Sequence, residues 1–133
     1  MLTKPVLTNA EISRILEAAR EEADKNQWPV AIAVVDDGGH LLAFLRLDGC
    51  APVGAEMAIG KARTSALGRR ESRLYEEMIN SGRTAFISAP LVATLEGGVP
   101  VVVDGQTVGA VGVSGVKPHE DAQVAKAGAN AIG

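Results

Sequence analysis

Few side chains in this sequence can do chemistry, and the first to weigh are the donors that could hold a metal. His40, His119 and Cys50 are the candidate metal ligands. They lie too far apart along the chain for a local metal-binding spacing. A lone cysteine also excludes an internal disulfide framework and any multi-cysteine metal site. A metal that brings most of its own ligands is different, because it needs only one protein side chain. Each candidate also has a plainer reading: His40 as a solvated turn residue, His119 as a polar neighbour of a helix start, Cys50 as a small buried side chain.

The charged groups suggest a second kind of chemistry. Arg46 and Asp48 alternate at a strand end, so both can point to one face. They could form an ordinary surface ion pair or line a pocket in which the guanidinium grips a carboxylate at two points. Lys61 falls between Gly60 and Ala62 on a small-residue helix, where a lone lysine is ordinarily solvated. Glu96-Gly97-Gly98 puts a carboxylate and two glycines at the entry to a strand. Ser114, in Gly112-Val113-Ser114-Gly115, superficially resembles a nucleophile elbow but leaves a glycine-rich strand instead of a strand–turn–helix corner. Gly109-Ala110-Val111-Gly112 lacks the βαβ setting of a dinucleotide fingerprint, and glycines in a strand more simply mark close backbone approach.

The elements that must position these groups follow from apolar spacing. Thr8 or Asn9 can cap a first helix, with Glu11 completing a capping box, and Ile12, Ile15, Leu16, Ala19 and Ala23 form its apolar stripe. Val30–Val35 and Leu41–Leu47 read as strands joined through Asp36-Asp37-Gly38-Gly39, a hairpin connector. A helix is expected over about Val53–Leu67, rich in Ala and Gly and suited to close approach of another backbone, from a partner subunit among others. A charged, exposed helix follows over Arg69–Ile79, then broken structure to Gly98. Val99–Val103 and Thr107–Val113 form a second hairpin around Asp104-Gly105-Gln106. A last helix runs from about His119 to Ile132, with Asp121 in its first turn, where the helix dipole favours an acid. The order α-β-β-α-α-β-β-α predicts an α+β fold in one domain spanning 1–133.

Composition narrows the partners. Hydrophobic residues make up 47% of the 133, yet aromatics only 3%, so the core must be aliphatic and stacking platforms for single-stranded nucleic acid are absent. A net charge of −3, with no basic run longer than Arg69-Arg70, argues against nucleic acid more generally. No apolar run approaches a membrane span, and Met1–Glu11 has neither the basic nor the apolar region of a secretory signal. The cytoplasm is the expected location.

Four ordered blocks together carry a resemblance: Val30–Gly49 (VAIAVVDDGGHLLAFLRLDG), Ala58–Ala66 (AIGKARTSA), Leu95–Gly115 (LEGGVPVVVDGQTVGAVGVSG) and Glu120–Ile132 (EDAQVAKAGANAI). They cover nearly the whole chain and resemble the GlcG/HbpS-like family of haem-binding, haem-degrading proteins, which includes the C-terminal domain of the propanediol-utilisation adenosyltransferase. The resemblance implies a profilin-like α-β-α arrangement, with helices packed about an antiparallel sheet. It also implies a homo-oligomer, a dimer or larger, and haem binding with a role in haem degradation or redox sensing. Some relatives instead accompany glycolate or diol catabolism, which implies the alternative of an enzyme or accessory protein for a small hydroxy- or oxo-acid. Motif matching places Arg46, Asp48, Lys61, Glu96, Gly97, Gly98 and Ser114 around a shared ligand site, with Glu120 and Asp121 nearby. There, Arg46 and Lys61 would meet haem propionates or a small carboxylate. No single axial ligand carries over, so His40, His119 and Cys50 all remain open.

Overall fold

The computed structural model describes residues 1–132. It contains helix α1 (Asn9–Asn26), strands β1 (Ala31–Asp36) and β2 (Leu41–Arg46), helices α2 (Val53–Gly68) and α3 (Arg73–Asn80), strands β3 (Gly98–Val103) and β4 (Gln106–Ser114), and helix α4 (Pro118–Ala129). A 3₁₀ turn at Thr84–Ser88 interrupts the connection from α3 to β3. The expected element order is therefore found. The four strands form one antiparallel sheet in the order β2-β1-β4-β3.

β1 lies inside the sheet and is buried on both faces, which explains why VAIAVV reads as an unbroken apolar run. Its residues nonetheless sort by period two. Val30, Ile32 and Val34 join Ile15, Ala19 and Ala23 of α1 and Val124, Ala125 and Ala129 of α4 in one core. Ala31, Ala33 and Val35 face the opposite way, onto Ala58, Ala62 and Ala66 of α2. The first layer is packed with branched side chains and the second with almost nothing but alanine.

The alanine layer exists because α2 rests on the sheet backbone itself. A Cβ placed on Gly112 of β4 would stand 2.0 Å from the Ala58 carbonyl oxygen and 2.4 Å from the Ala62 nitrogen. One on Gly98 of β3 would stand 2.2 Å from the Lys61 carbonyl oxygen. The close backbone approach expected of the small residues of α2 is thus made within the chain, to β3 and β4.

Other departures from expectation are local. Arg69 was expected to begin a third helix but instead ends α2, in the left-handed conformation at φ 59°. α3 starts only after Ser72, whose side chain is fully buried. The Ser72 hydroxyl donates to Leu95 O at 2.5 Å and accepts from Gly98 N at 2.8 Å, while Ser72 N donates to Gly98 O at 3.0 Å. This knot ties α3 to the outer edge of β3. α4 stops at Ala129 instead of running to Ile132. At the start of α1 the Thr8 hydroxyl donates to the Glu11 carboxylate and accepts from no backbone N–H, so the expected box is replaced by a side-chain pair.

A backbone contact this close leaves no room for a methyl group. Gly112→Ala is expected to lower stability by about 3 kcal/mol or more, at or beyond the upper end of overpacking effects. Gly105→Ala, at a turn with open space around it and φ of +76°, is expected to cost only about 1–2 kcal/mol of left-handed strain. Urea unfolding of the two variants beside the parent checks the contrast.

Candidate functional site

The structure brings four of the named residues, Lys61, Gly97, Gly98 and Asp121, into one buried node at the open end of β3 and β4. Lys61 leaves α2, passes the start of β3 and donates to Val113 O at 3.0 Å and to Asp121 Oδ2 at 3.1 Å. The other Asp121 oxygen accepts from Val116 N at 3.1 Å. Both side chains are almost completely buried, at 5% and 3% exposure. The ion pair therefore joins α2, on one face of the sheet, to α4 on the other. Gly97 and Gly98 make the passage possible: a Cβ on Gly97 would lie 2.9 Å from Lys61 Nζ. Lys61 is thus no solvated lysine, and the two glycines form a buried floor for its side chain instead of an open loop. Glu120 sits beside the node and accepts from Lys117 N at 3.2 Å, capping α4.

The remaining acid–base candidates stay apart from this node. Arg46 and Asp48 are exposed at the end of β2. Glu96 is half-buried, with its backbone N–H donated to Glu76 Oε1 at 2.9 Å. Ser114 is half-buried where β4 ends, paired with Ala31, and its carbonyl faces Cys50 Sγ at 3.8 Å. Burial pushes the Cys50 thiol up, against a smaller pull from the Arg46 charge. A thiol held that way is a packing residue beneath the start of α2 and a poor source of thiolate.

Of the two histidines, one is aimed. His40 follows the β1–β2 turn, and its Nδ1 lies 3.1 Å from both oxygens of Asp36. The same carboxylate accepts from Gly38 N at 2.9 Å and from His40 N at 3.0 Å. Burial works against the Asp36 charge, but the backbone donors of His40 and Gly38, and then the imidazole, outweigh it and hold the carboxyl below its usual range. A charged Asp36 can only accept from Nδ1–H, and Nε2 is left as the ring nitrogen free of a partner on a side chain 77% exposed. A Cβ on Gly38 would meet the imidazole at 2.9 Å, so the glycine leaves the ring room to lie against the turn. His119 is exposed in the first turn of α4 with no such partner among the described residues. Sequence reasoning named His40 but missed Asp36. The signal was present in D-x-x-x-H spanning a tight turn, a spacing that folds a carboxylate back onto the ring.

Among the described residues no three His, Cys, Asp or Glu gather as a metal cage. An iron centre here would have to bring most of its ligands with it, as a porphyrin does. Nor is any helix among them long and apolar enough to cross a membrane.

The architecture is that of an α+β protein with a sealed centre and one oriented imidazole at its surface. The chain belongs to the family described as haem degrading protein HbpS-like, whose model matches residues 7–130. Protein GlcG of Escherichia coli strain K12 is 63% identical over 114 residues, 86% of this chain and 85% of that protein. The solved structure of HbpS matches with a TM-score of 0.90 at 32% identity, covering 100% of this chain and 94% of that one. A structure of a PduOC–haem complex matches with a TM-score of 0.87 at 25% identity, over 96% of each chain.

Two predictions follow from these contacts. Lys61→Met or Asp121→Leu alone strands a buried charge and is expected to cost about 3–5 kcal/mol, whereas the double variant recovers most of the loss; a denaturation double-mutant cycle measures it. The Asp36 clamp stabilises the turn fully above about pH 3.8, the ordinary value of the carboxyl, and is lost as pH falls through its lower folded value. Amide exchange at Gly38 and His40 should therefore stay slow at pH 4 and accelerate only below it.

Proposed function

We propose that this protein binds haem, with His40 Nε2 as the protein's ligand to the iron. The observation that carries the reading is the Asp36–His40 pair. Imidazoles that ligate metals characteristically donate their other N–H to a carboxylate, which fixes ring orientation and raises basicity. Membership of a haem-degrading family and the likeness to a protein solved with haem support haem binding. Bound haem would supply the redox and oxygen chemistry. The chain's own part is to hold the imidazole aimed and accessible. Arg46 and other surface cations are then available to propionates, while Lys61 is not, because Asp121 and Val113 already hold it.

In the alternative, a small-acid enzyme, Arg46 would hold the carboxylate and Asp48 or Glu96 would serve as general acid or base, since Lys61 is committed to Asp121 and Val113.

Haemin titration followed in the Soret region tests the proposal. The parent protein is expected to give a saturable shift, His40→Ala to lose it, and His119→Ala to keep it. Asp36→Asn should weaken binding by about 10–100-fold, the usual effect of losing a ligand's orienting partner. No saturable shift in the parent, or an unchanged one in His40→Ala, overturns it. A degrading role would appear as bleaching of the loaded protein's Soret band when dioxygen and a reductant are supplied.

A further inference from the structure

His40 sits where an exposed hairpin turn ends, a place where chains are ordinarily mobile, so its aim needs a mount. Within the turn, Asp36 N donates to His40 O at 2.9 Å and Gly39 N donates to Asp36 O at 3.1 Å. The Asp36 carboxylate holds Gly38 and His40 from inside. The carbonyls of Asp37 and Gly39 accept nothing from the turn itself, and water could serve both. Arginines serve them instead. Arg63 Nη1 donates to Gly39 O at 3.0 Å, and Arg69 Nη1 donates to Asp37 O.

Arg69 bears a second sign of this role. It closes α2 in the left-handed conformation, φ 59° and ψ 32°, a position that glycine ordinarily fills at no steric cost. An arginine there is strained, and such strain persists where surrounding contacts over-determine it. The guanidinium supplies those contacts. Besides Asp37 O it reaches Ala66 O at 2.7 Å, and it lies 3.9 Å from the Asp37 carboxylate, which also pairs with Lys4 Nζ at 2.6 Å. Arg63 adds packing to its hydrogen bond: a Cβ on Gly39 would lie 3.7 Å from the Arg63 stem and 3.6 Å from Leu67.

We infer that Arg63 and Arg69 are positioning residues for the iron ligand proposed above, a role that rests on that reading of His40. They fasten the turn to the C-terminal end of α2 and so preset the imidazole before anything binds. α2 has one seat on the sheet, pressed on Gly98 and Gly112 and tied by Lys61, two residues before Arg63. The imidazole thereby inherits the registration of the core while staying outside it. A ligand mounted on a rigid element keeps its geometry better than one on a free loop.

Arg69→Gly separates the backbone from the guanidinium. Glycine accepts the left-handed conformation freely, so this variant should melt close to the parent while its imidazole loses the mount. Arg63→Met removes the other donor, keeps the packing stem and leaves the helix end untouched. Nitrogen NMR of His40 without haem, at about pH 8.5 and above the ordinary imidazole range, reads the mount directly. The proton should sit on Nδ1 in the parent and be shared between the two ring nitrogens in each variant. In haemin titration each variant should bind about tenfold more weakly, the lower end of the loss when a ligand's orienting partner is removed. A His40 spectrum identical to the parent's in both variants, or unchanged haem affinity in both, overturns the inference. A parent that takes up no haem overturns the proposed function instead, and the His40 spectrum alone then decides whether the arginines hold the ring.

Discussion

Much of the molecule depends on the contact of α2 with the bare backbone of β4 and β3. Ordinary helix–sheet packing keeps the two apart by the length of a side chain. Here Gly112 and Gly98 remove the sheet's side chains, while Ala58 and Ala62 leave only methyl groups on the helix. Dispersion falls steeply with distance, so close approach over many small atoms can replace a few large aliphatic contacts. The cost is tolerance, because a packed interior has no slack for an added methyl. The 3% aromatic content fits the same design, since a core this thin on one side has no room for rings.

That closeness also creates the buried ion pair. With α2 pressed onto the sheet, Lys61 starts near enough to the strand ends to reach Asp121 on the other layer, and Gly97 clears its path. Burial raises the Asp121 carboxyl above its usual range, and the Lys61 charge opposes that rise. Such a pair adds little net stability over an apolar substitute, because desolvating both charges offsets their attraction. Its consequence is registration: a lysine with two defined acceptors permits only one placement of α2 relative to α4. An apolar pair of similar volume would tolerate sliding.

The sequence revealed the fold better than it revealed the site, for identifiable reasons. Period-two and hairpin signals are local, so β1, β2 and their Asp-Gly-Gly turn could be read directly. The start of α3 was misjudged because a left-handed Arg69 and a buried Ser72 are set by tertiary contacts. Lys61 and Asp121 were both named, and the 60 residues between them hid that they are partners. Gly97 and Gly98 likewise looked like ligand-binding loop residues, since a glycine that clears space for a side chain and one that flexes leave the same letter. His40 was one of three equivalent iron candidates until geometry gave it an orienting carboxylate.

The β1–β2 hairpin carries the aimed imidazole, and its place at the uncovered edge of the sheet has a structural cause. α2 covers β1, β4 and β3, and α1 with α4 fills the reverse face, so β2 is the strand that both layers largely leave out. Buried positions elsewhere are committed: a glycine cannot grow, an alanine cannot become polar, and the one interior lysine already has its acceptors. Groups free to meet a ligand can therefore persist only where the helical layers stop. A fold held together by backbone-close packing confines its recognition surface to the edge it does not pack.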